Sequence, residues 1–315
     1  MKNCWILCDK GKMGTYRQCL ALAQALEESI PLTVEHKQID LRWPWRFLPP
    51  HFALGKRTAG DMQPDLSQPY PDLIIAGGRQ AVTAAVALRK KSYTIVFQNP
   101  RIEPGYFDLV IAPYHDNLRG ENVIQTLGAI HPIKQETLVA RRAELKLDPS
   151  KTHVAVLLGG DSKHYTYTKE CVLRLAENLM KMAHGGGSLL ITPSRRTRPD
   201  ILDLLAGAIQ SVPHQIWHGD GVNPYIDYLS AADAVVVTGD SISMMSEACI
   251  TGKPVYIHEL PIKNKRFLDF MDMLYRHNHA KPLAEFNSRL GDFQQLDELG
   301  RIIPDVLSRL DFCIK

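Results

Sequence analysis

The sequence lacks any apolar run near the ~18 residues that a membrane span requires, and its first residues lack the apolar core of a signal peptide. Its net charge at pH 7 is only +3 and it has no basic tail, so composition gives no case for nucleic-acid binding. The six cysteines are scattered, without the paired spacing of a zinc site. These absences predict a cytoplasmic protein with reduced thiols, no metal ion and no nucleic-acid partner.

The length of 315 residues allows about two domains, each large enough to bury its own core. Short apolar runs such as Leu73–Ala76 alternate with helical patterns, which predicts an α/β fold with parallel sheets. A polar stretch at 140–152 interrupts the alternation, and a second series begins at Val154. Ligands of such sheets bind at the carboxyl ends of the strands, so the loops there are the functional candidates.

The stretch 234–257 (AVVVTGDSISMMSEACITGKPVYI) predicts a strand, a tight loop, a helix and another strand. The loop contains residues that suit a turn and a helix cap: Gly239, Asp240, Ser241 and Ser243. A helix N-terminus at this place attracts anions through its unpaired amides and its dipole. Glu247 lies one turn into the helix, too far along to cap it, and could bind a sugar diol. An ordinary turn with a solvated glutamate is the alternative.

Two more loops of the second half carry cations at predicted strand ends, in the stretches 157–168 and 192–200. A lysine neutralises a phosphate, and an arginine presents a planar fork that binds one in bidentate fashion. The residues that we expect to bind are Gly160, Ser162, Lys163, Arg195 and Arg196. With the helix N-terminus and Glu247, this set suits a nucleoside diphosphate. At least one of the three arginines in the second loop is expected to be merely solvated.

The first half offers weaker signals. A loop in the stretch 9–19 (DKGKMGTYRQC) carries Lys12 and Gly14, but it matches neither the dinucleotide-binding glycine pattern nor the P-loop. It is either a phosphate or sugar loop or a simple turn.

The stretch 41–57 combines aromatic and basic residues with three prolines, which prevent a long helix. Trp43, Trp45 and Phe47 beside arginines suit a membrane interface or a lipid-linked acceptor. The alternative is that these aromatic side chains cover the core of the first domain.

Five motifs carry a resemblance over nearly the whole chain: Gly11-Lys12-x-Gly14 with Gln18-Cys19, Gly159-Gly160-x-Ser162-Lys163-His164, Ser194-Arg195-Arg196-Thr197, Asn223-Pro224-Tyr225, and VTGDSISMMSEACITGKPVY at 237–256. With them the chain resembles the glycosyltransferase-B superfamily. Within it, the chain looks like the family named for the plant "elongated mitochondria" fission factor, which has many bacterial members. The resemblance implies an α/β fold of two Rossmann-like domains with parallel sheets that face a cleft.

The resemblance further implies an acceptor-side domain at 1–148 and a nucleotide-sugar-binding domain at 149–295, with a last helix at about 296–315 packing back on the first. It implies a UDP-type sugar as donor, with Glu247 on the ribose and Ser241–Ser243 on the diphosphate. On the acceptor side it implies roles for Lys12, Gly14 and Gln18.

The sequence departs from this family at one position. Many bacterial relatives have a histidine after the second glycine of the first loop, where this chain has Thr15. Sugar transfer with inversion needs a base for the acceptor hydroxyl, and threonine cannot serve as one near neutral pH. The base would then be His115 or Asp116, which follow a first-domain strand, or the protein does not catalyse.

We therefore expect a glycosyltransferase that needs neither metal nor cofactor and uses a UDP-sugar on a bacterial envelope glycan or lipid acceptor. It would lie in the cytoplasm, with peripheral contact at the inner face of the membrane. Two alternatives stay open. One is a nucleotide-sugar epimerase or hydrolase on the same fold, and the other is a non-catalytic scaffold that binds a membrane or protein through 41–57.

Overall fold

The structure is a computed structural model that describes residues 1–44, 46–53, 62–63, 66, 68–162, 165–184, 186–287 and 289–310. The chain divides into two compact α/β units. The first comprises Met1–Pro132 together with the chain from Glu298 onward, and the second comprises Ile133–Asp297.

The first unit is built on a seven-stranded sheet. Its strands are β1 (Lys2–Asp9), β2 (Leu32–Leu41), β3 (Met62–Gln63), β4 (Leu73–Gly77), β5 (Tyr93–Phe97), β6 (Leu109–Pro113) and β7 (Val123–Thr126), with helices α1 (Met13–Glu27) and α2 (Arg79–Leu88). The order is β3-β2-β1-β4-β5-β6-β7, parallel except for β3, which is antiparallel to β2. The chain reverses its direction across the sheet between β1 and β4, which makes their carboxyl ends the topological switch point.

The apolar run of β1 serves two cores because successive side chains point to opposite faces of the sheet. Cys4, Ile6 and Cys8 lie in the core that α1 covers, whereas Trp5 and Leu7 lie in the core that α2 covers. A strand covered on both faces has no polar alternation, which is why its sequence reads as one apolar run.

The second unit is built on a six-stranded parallel sheet. Its elements are α3 (Gln135–Glu144), β8 (His153–Leu158), α4 (Lys169–Ala183), β9 (Ser188–Pro193), α5 (Pro199–Ala208), β10 (His214–Ile216), α6 (Tyr225–Ala231), β11 (Ala234–Thr238), α7 (Ile242–Cys249), β12 (Val255–His258), α8 (Lys265–Arg276) and β13 (Lys281–Pro282). The strand order is β10-β9-β8-β11-β12-β13, so the switch point lies between β8 and β11.

The stretch 234–257 has the predicted order of strand, loop, helix and strand, as β11, α7 and β12. Ser241 caps α7 by accepting a hydrogen bond from the amide of Met244. After the helix, Gly252 has a φ of +64°, the left-handed conformation expected of a glycine beyond a helix end.

Helix α9 (Glu298–Leu310) belongs to the first unit. The buried carboxylate of Glu298 accepts a hydrogen bond from the amide of Leu127 at 2.7 Å. Further along the helix, Ile302 and Val306 lie in the core that α1 covers.

The boundary between the units differs from the predicted one at residue 148, because α3 groups with the second unit. The guanidinium of Arg141 donates to both carboxylate oxygens of Asp227 in α6, at 2.7 and 3.1 Å. Arg142 pairs with Asp233 at 2.7 Å and donates to carbonyls at the end of α6. The first part of the polar stretch 140–152 therefore belongs to a helix held by ion pairs, and the remainder, 145–152, connects α3 to β8.

No helix within the described ranges is both long and apolar enough to cross a bilayer.

Candidate functional site

Each sheet carries a buried aspartate at its switch point: Asp9 is the last residue of β1, and Asp240 follows β11. Switch points of open α/β sheets are where ligands bind, so the two carboxylates decide what each crevice can accept. The two carboxylates have different hydrogen-bond partners, so the two switch points differ in the groups that remain to bind a ligand.

In the second unit, Asp240 joins three loops through four hydrogen bonds. The hydroxyls of Tyr167 and Thr238 donate to its Oδ1 at 2.9 and 2.7 Å. The amide of Gly160 and Nη2 of Arg196 donate to its Oδ2 at 3.0 and 3.1 Å. The Asp240 side chain is fully buried. It therefore positions the surrounding loops, although the sequence predicted that it contacts the ligand.

The electrostatics of this cluster are those of one buried charge with donors on every side. Burial raises the pKa of the Tyr167 phenol, and the neighbouring Asp240 carboxylate raises it further. The phenol therefore stays protonated and serves as a hydrogen-bond donor to Asp240.

Gly160 lies where two loops touch. A Cβ added there would overlap the backbone carbonyl of Arg196 and the amide of Thr197. A Cβ added at Gly159 would overlap the carboxylate of Asp240. The glycine pair that suggested a ligand loop thus allows close packing of the loops after β8 and β9. The Gly160 amide already donates to Asp240, so a ligand contact of Gly160 stays a prediction that this amide does not support.

The three arginines after β9 have different surroundings. Arg196 donates to Asp240, and its Nη1 donates to the carbonyls of Gly160 and Asp161 at 3.3 Å each. Arg198 pairs with Asp161 and Asp200, so it has a structural role, whereas Arg195 is exposed at the carboxyl edge of the sheet.

The N-terminus of α7 is the third part of this edge. Ser241 is half-buried and Ser243 is exposed, while Gly239 is buried. The amides of Ile242 and Ser243 lie in the first turn of α7. The carbonyls four residues before them lie outside the helix, so these amides have no acceptor within it. Ser162 joins a short bridge with Tyr165 beside this edge. Lys163 lies outside the described residues.

Glu247 is half-buried on α7 and accepts a hydrogen bond from the hydroxyl of Tyr225 at the start of α6. A carboxylate offers about four acceptor positions, so this bond and a bound diol are compatible. Tyr225 is part of the Asn223-Pro224-Tyr225 motif, but its contact with Glu247 could not be predicted from the sequence, because 22 residues separate the two.

In the first unit, the helix that corresponds to α7 is α2, and the carboxylate of Asp9 lies at its N-terminus. Oδ1 of Asp9 accepts a hydrogen bond from the amide of Ala81 in the first turn of α2, at 2.8 Å. Gly78 leaves room for this carboxylate, since an added Cβ would lie 2.6 Å from its Cγ. Burial raises the pKa of Asp9, against the opposing effect of the amide bonds and of nearby Arg79 and Lys12. Sequence reasoning missed Asp9, although it directly follows the apolar run of β1.

The predicted acceptor-side residues surround the start of α1. Lys12 precedes the helix, Gly14 lies in its first turn, and both are exposed, while Gln18 is half-buried. His115 and Asp116 follow β6, three strands away, which is ~14 Å at the usual strand spacing. The structure therefore does not bring these two groups together.

The imidazole of His115 lies 3.7 Å from Oδ1 of Asp116, and its side chain is only 7% exposed. Asp116 is 25% exposed, and its other oxygen accepts from the amide of Asn99 at 3.3 Å. Of the two candidate bases, Asp116 is the more exposed.

A thiol and an imidazole meet beside the second switch point. Cys171 Sγ lies 3.3 Å from Nε2 of His258, and both residues are buried. Burial, with some effect of Arg174, lowers the pKa of His258 to about 4, and burial raises the pKa of the thiol. Both shifts favour the neutral pair, so it is not an activated thiolate nucleophile.

No group of three or more His, Cys, Asp or Glu side chains in the described part of the chain is arranged to hold a metal ion. Metal independence stays a prediction.

The aromatic stretch after β2 is strongly exposed where it is described. Trp43 is 83% exposed and Phe47 is 73% exposed, so neither covers the core of the first unit. Trp45 lies outside the described residues.

Two Rossmann-like α/β units with parallel sheets are the architecture of the glycosyltransferase-B fold. Two solved structures share it at low identity. The UDP-GlcNAc 2-epimerase from Neisseria meningitidis, bound to UDP-GlcNAc, matches with a TM-score of 0.54 and 11% identity, over 98% of this chain and 100% of that one. MurG from Acinetobacter baumannii matches with a TM-score of 0.56 and 14% identity, over 99% of this chain and 93% of that one.

The chain belongs to the family described as Mitochondrial fission ELM1, whose sequence pattern matches residues 13–310. The Mitochondrial fission protein ELM1 of Arabidopsis thaliana is 32% identical in an alignment 219 positions long, which covers 59% of this chain and 51% of the plant protein. The chain thus spans about half the length of that relative. The predicted family resemblance is confirmed.

Proposed function

We propose that the chain is a metal-independent glycosyltransferase whose second unit binds a UDP-type sugar donor. The observation that carries this proposal is the asymmetry between the two switch points. Asp9 already occupies the N-terminus of α2 with its own carboxylate, whereas the partners of Asp240 lie in β11 and in the loops after β8 and β9. The N-terminus of α7 therefore keeps its affinity for an anion, which favours the second unit as the donor-binding one.

The diphosphate would bind the first turn of α7. The amides of Ile242 and Ser243 donate there, the hydroxyl of Ser241 keeps its own proton to donate, and Arg195 adds an exposed guanidinium. Arg196 would act by holding the loop after β8 in place. Preorganised donors and cations of this kind stabilise the charge that develops on a departing diphosphate.

The ribose would bind Glu247, as a carboxylate accepts hydrogen bonds from both hydroxyls of a diol. Tyr225 would fix the orientation of that carboxylate through its hydroxyl. The fold relative from Neisseria was solved with UDP-GlcNAc, which supports a uridine nucleotide as the first ligand to test.

The acceptor would be an envelope glycan or a lipid-linked sugar at the inner face of the membrane, recognised by the first unit near Lys12, Gly14 and Gln18. Asp116, with His115 beside it, is the proposed base; since it lies three strands from the start of α1, the acceptor would have to extend ~14 Å along the carboxyl edge of the sheet. A base must come within hydrogen-bond reach of the hydroxyl that it deprotonates, and the greater exposure of Asp116 meets that need better.

The test is calorimetric titration of the full chain with UDP and with UDP-sugars. The Glu247→Gln variant should bind UDP at least ~10-fold more weakly, about 1.4 kcal/mol. Glu177→Gln is the matched control, because Glu177 is exposed on α4 and pairs only with Lys181 among its described neighbours.

Absence of UDP binding by the unmodified chain would overturn the proposal. Incubation of UDP-sugars without acceptor separates the alternatives, since isomerised or hydrolysed sugar would identify an epimerase or a hydrolase. Transfer that is lost in Asp116→Asn but kept when His115 is replaced would support the assigned base.

A further inference from the structure

Large apolar side chains project from one edge of the first unit. Trp43 and Phe47 are mostly exposed, and Phe52 and Met13 are 47% and 43% exposed. We call these four residues, with the neighbouring Lys10, Arg42 and Arg46, the aromatic–basic surface. Exposure of several large apolar side chains in one place is unfavourable in water, so it marks a surface with a partner.

The segment that carries Trp43 and Phe47 is tied to the body of the unit. The guanidinium of Arg79, at the start of α2, donates to the backbone carbonyls of Arg46 and Leu48. Leu48 is half-buried and packs against the core that α2 covers. The two exposed rings therefore stand on an anchored turn.

The basic residues lie beside the rings. Nζ of Lys10 is 3.9 Å from Asp40, and the guanidinium of Arg46 is 3.7 Å from the same carboxylate, so one acid links two cations from different loops. The segments 10–17 and 40–53 together contain five basic residues and one acidic residue. Their net charge is +4.

The two segments leave the same edge of the sheet. Asp9 of β1 is paired with Ile39 of β2, and the amide of Lys10 donates to the carbonyl of Ile39 at 3.1 Å. Beyond that pair, the chain reaches Met13 on one side and Trp43 on the other. Apolar and basic groups from two loops thus form one surface.

We propose that the aromatic–basic surface docks on an anionic lipid bilayer. Tryptophan and phenylalanine side chains insert at the boundary between headgroups and acyl chains, and the surrounding lysine and arginine side chains are attracted to negatively charged headgroups. The complementary charge and the exposed rings both favour a bilayer over an uncharged protein surface. The docking does not depend on the proposed transfer reaction; only the link to a lipid acceptor rests on it.

The test is sedimentation of the full chain with vesicles of phosphatidylglycerol or of phosphatidylcholine. Binding is expected to the anionic vesicles, to fall when salt is raised to about 0.5 M, and to be weak on the neutral vesicles. The Trp43→Ala/Phe47→Ala variant should bind anionic vesicles at least ~10-fold more weakly, because both inserting rings are removed. Val222→Ala is its control, since Val222 is 93% exposed in the second unit.

The charge is tested separately with Lys10→Glu/Arg42→Glu. Its control is Lys90→Glu/Lys91→Glu, which makes the same charge change in the same unit just after α2, at the opposite edge of the sheet. The first variant should lose binding and the second should retain it. Thermal melting checks that all variants fold.

Failure of the unmodified chain to sediment with anionic vesicles at low salt would overturn the proposal. So would equal binding by the aromatic variant and its control. Concentration-dependent dimerisation that disappears in Trp43→Ala/Phe47→Ala, without vesicle binding, would identify the surface as a contact between two copies. UDP titration is read independently, so loss of vesicle binding does not bear on the donor site.

Discussion

The guanidinium of Arg196 donates to the buried carboxylate of Asp240 across 3.1 Å, and this pair joins the loop after β9 to the loop after β11. The same guanidinium holds the carbonyls of Gly160 and Asp161. Three loops of the second unit therefore depend on one carboxylate. Asp240 therefore shapes the edge where we propose that the donor binds, although its own side chain is fully buried.

Replacing Asp240 by asparagine should destabilise the second unit. The NH2 group of asparagine would replace one carboxylate oxygen, and its N–H groups would face donors such as those of Gly160 and Arg196. The remaining buried oxygen would carry no charge. Since Arg196 is 42% exposed, we discount the cost of a fully buried pair and expect about 1–3 kcal/mol. Denaturant unfolding, followed by tryptophan fluorescence and by circular dichroism, measures it.

Asp200→Asn is the control for that prediction. Its side chain is 68% exposed and pairs with Arg198 at 3.0 Å, so the loss of stability should be much smaller than that of Asp240→Asn. Equal losses in the free energy of unfolding for Asp240→Asn and Asp200→Asn would show that the burial of Asp240 does not increase the cost of its replacement.

Replacing Gly160 by alanine should separate the loops after β8 and β9. The new methyl group overlaps the backbone of Arg196, which cannot move aside as a flexible side chain would. Overpacking of this kind costs about 1–3 kcal/mol. The melting temperature should fall, and UDP binding should weaken because the edge of the sheet is distorted.

Gly207→Ala gives a matched comparison for the same chemical change. Gly207 lies in α5 with nothing within 4 Å of an added Cβ, so alanine should raise stability by about 0.5–1 kcal/mol through its higher helix propensity. A stable Gly160→Ala variant with unchanged UDP affinity would contradict the assigned close packing.

The α/β class and the elements of the stretch 234–257 could be predicted from the sequence because they depend on local patterns. Apolar runs mark strands covered on both faces, and Ser241 and Gly252 act on neighbouring backbone. The contacts of Asp240 could not be predicted in this way. Three of its four partners, Tyr167, Gly160 and Arg196, lie far from it along the chain and meet it only after the sheet has formed.

The same limit explains the boundary of the units. The sequence around Arg141 and Arg142 is polar, as in a linker, and only the positions of Asp227 and Asp233 in the folded chain turn it into a docked helix. Asp9 was missed because a single aspartate after a strand resembles any turn residue until the amide of Ala81 is seen beside it.

The two arginines after β9 should respond differently to removal. Arg195→Ala should weaken UDP binding about 10-fold, or 1.4 kcal/mol, with the melting temperature unchanged, because in the proposed site its exposed guanidinium contacts only the ligand. Arg196→Ala should lower both the UDP affinity and the melting temperature, since the carboxylate of Asp240 then stays buried without its cation.

Calorimetry and thermal melting of both variants check this pair of expectations. Arg266→Ala, on the exposed side of α8, is the control for loss of one surface charge. If Arg195→Ala binds UDP like the parent chain while Arg196→Ala loses binding with its melting temperature intact, the two roles assigned here are reversed.

His258 should make the stability of the second unit fall on acidification. Burial beside Arg174 lowers its pKa in the folded chain to about 4, while in the unfolded chain it is near 6.5. Between these values the unfolded chain binds a proton that the folded chain does not, so stability is lost as the pH falls from about 6.5 toward 4. The full difference corresponds to roughly 3 kcal/mol.

A His258→Gln variant, although less stable at pH 7, should lose that much less stability on acidification, as measured by urea unfolding at a series of pH values. His277→Gln, measured alongside, subtracts the contribution of an exposed imidazole. Parallel curves for the parent chain and His258→Gln would contradict the buried, neutral imidazole beside Cys171.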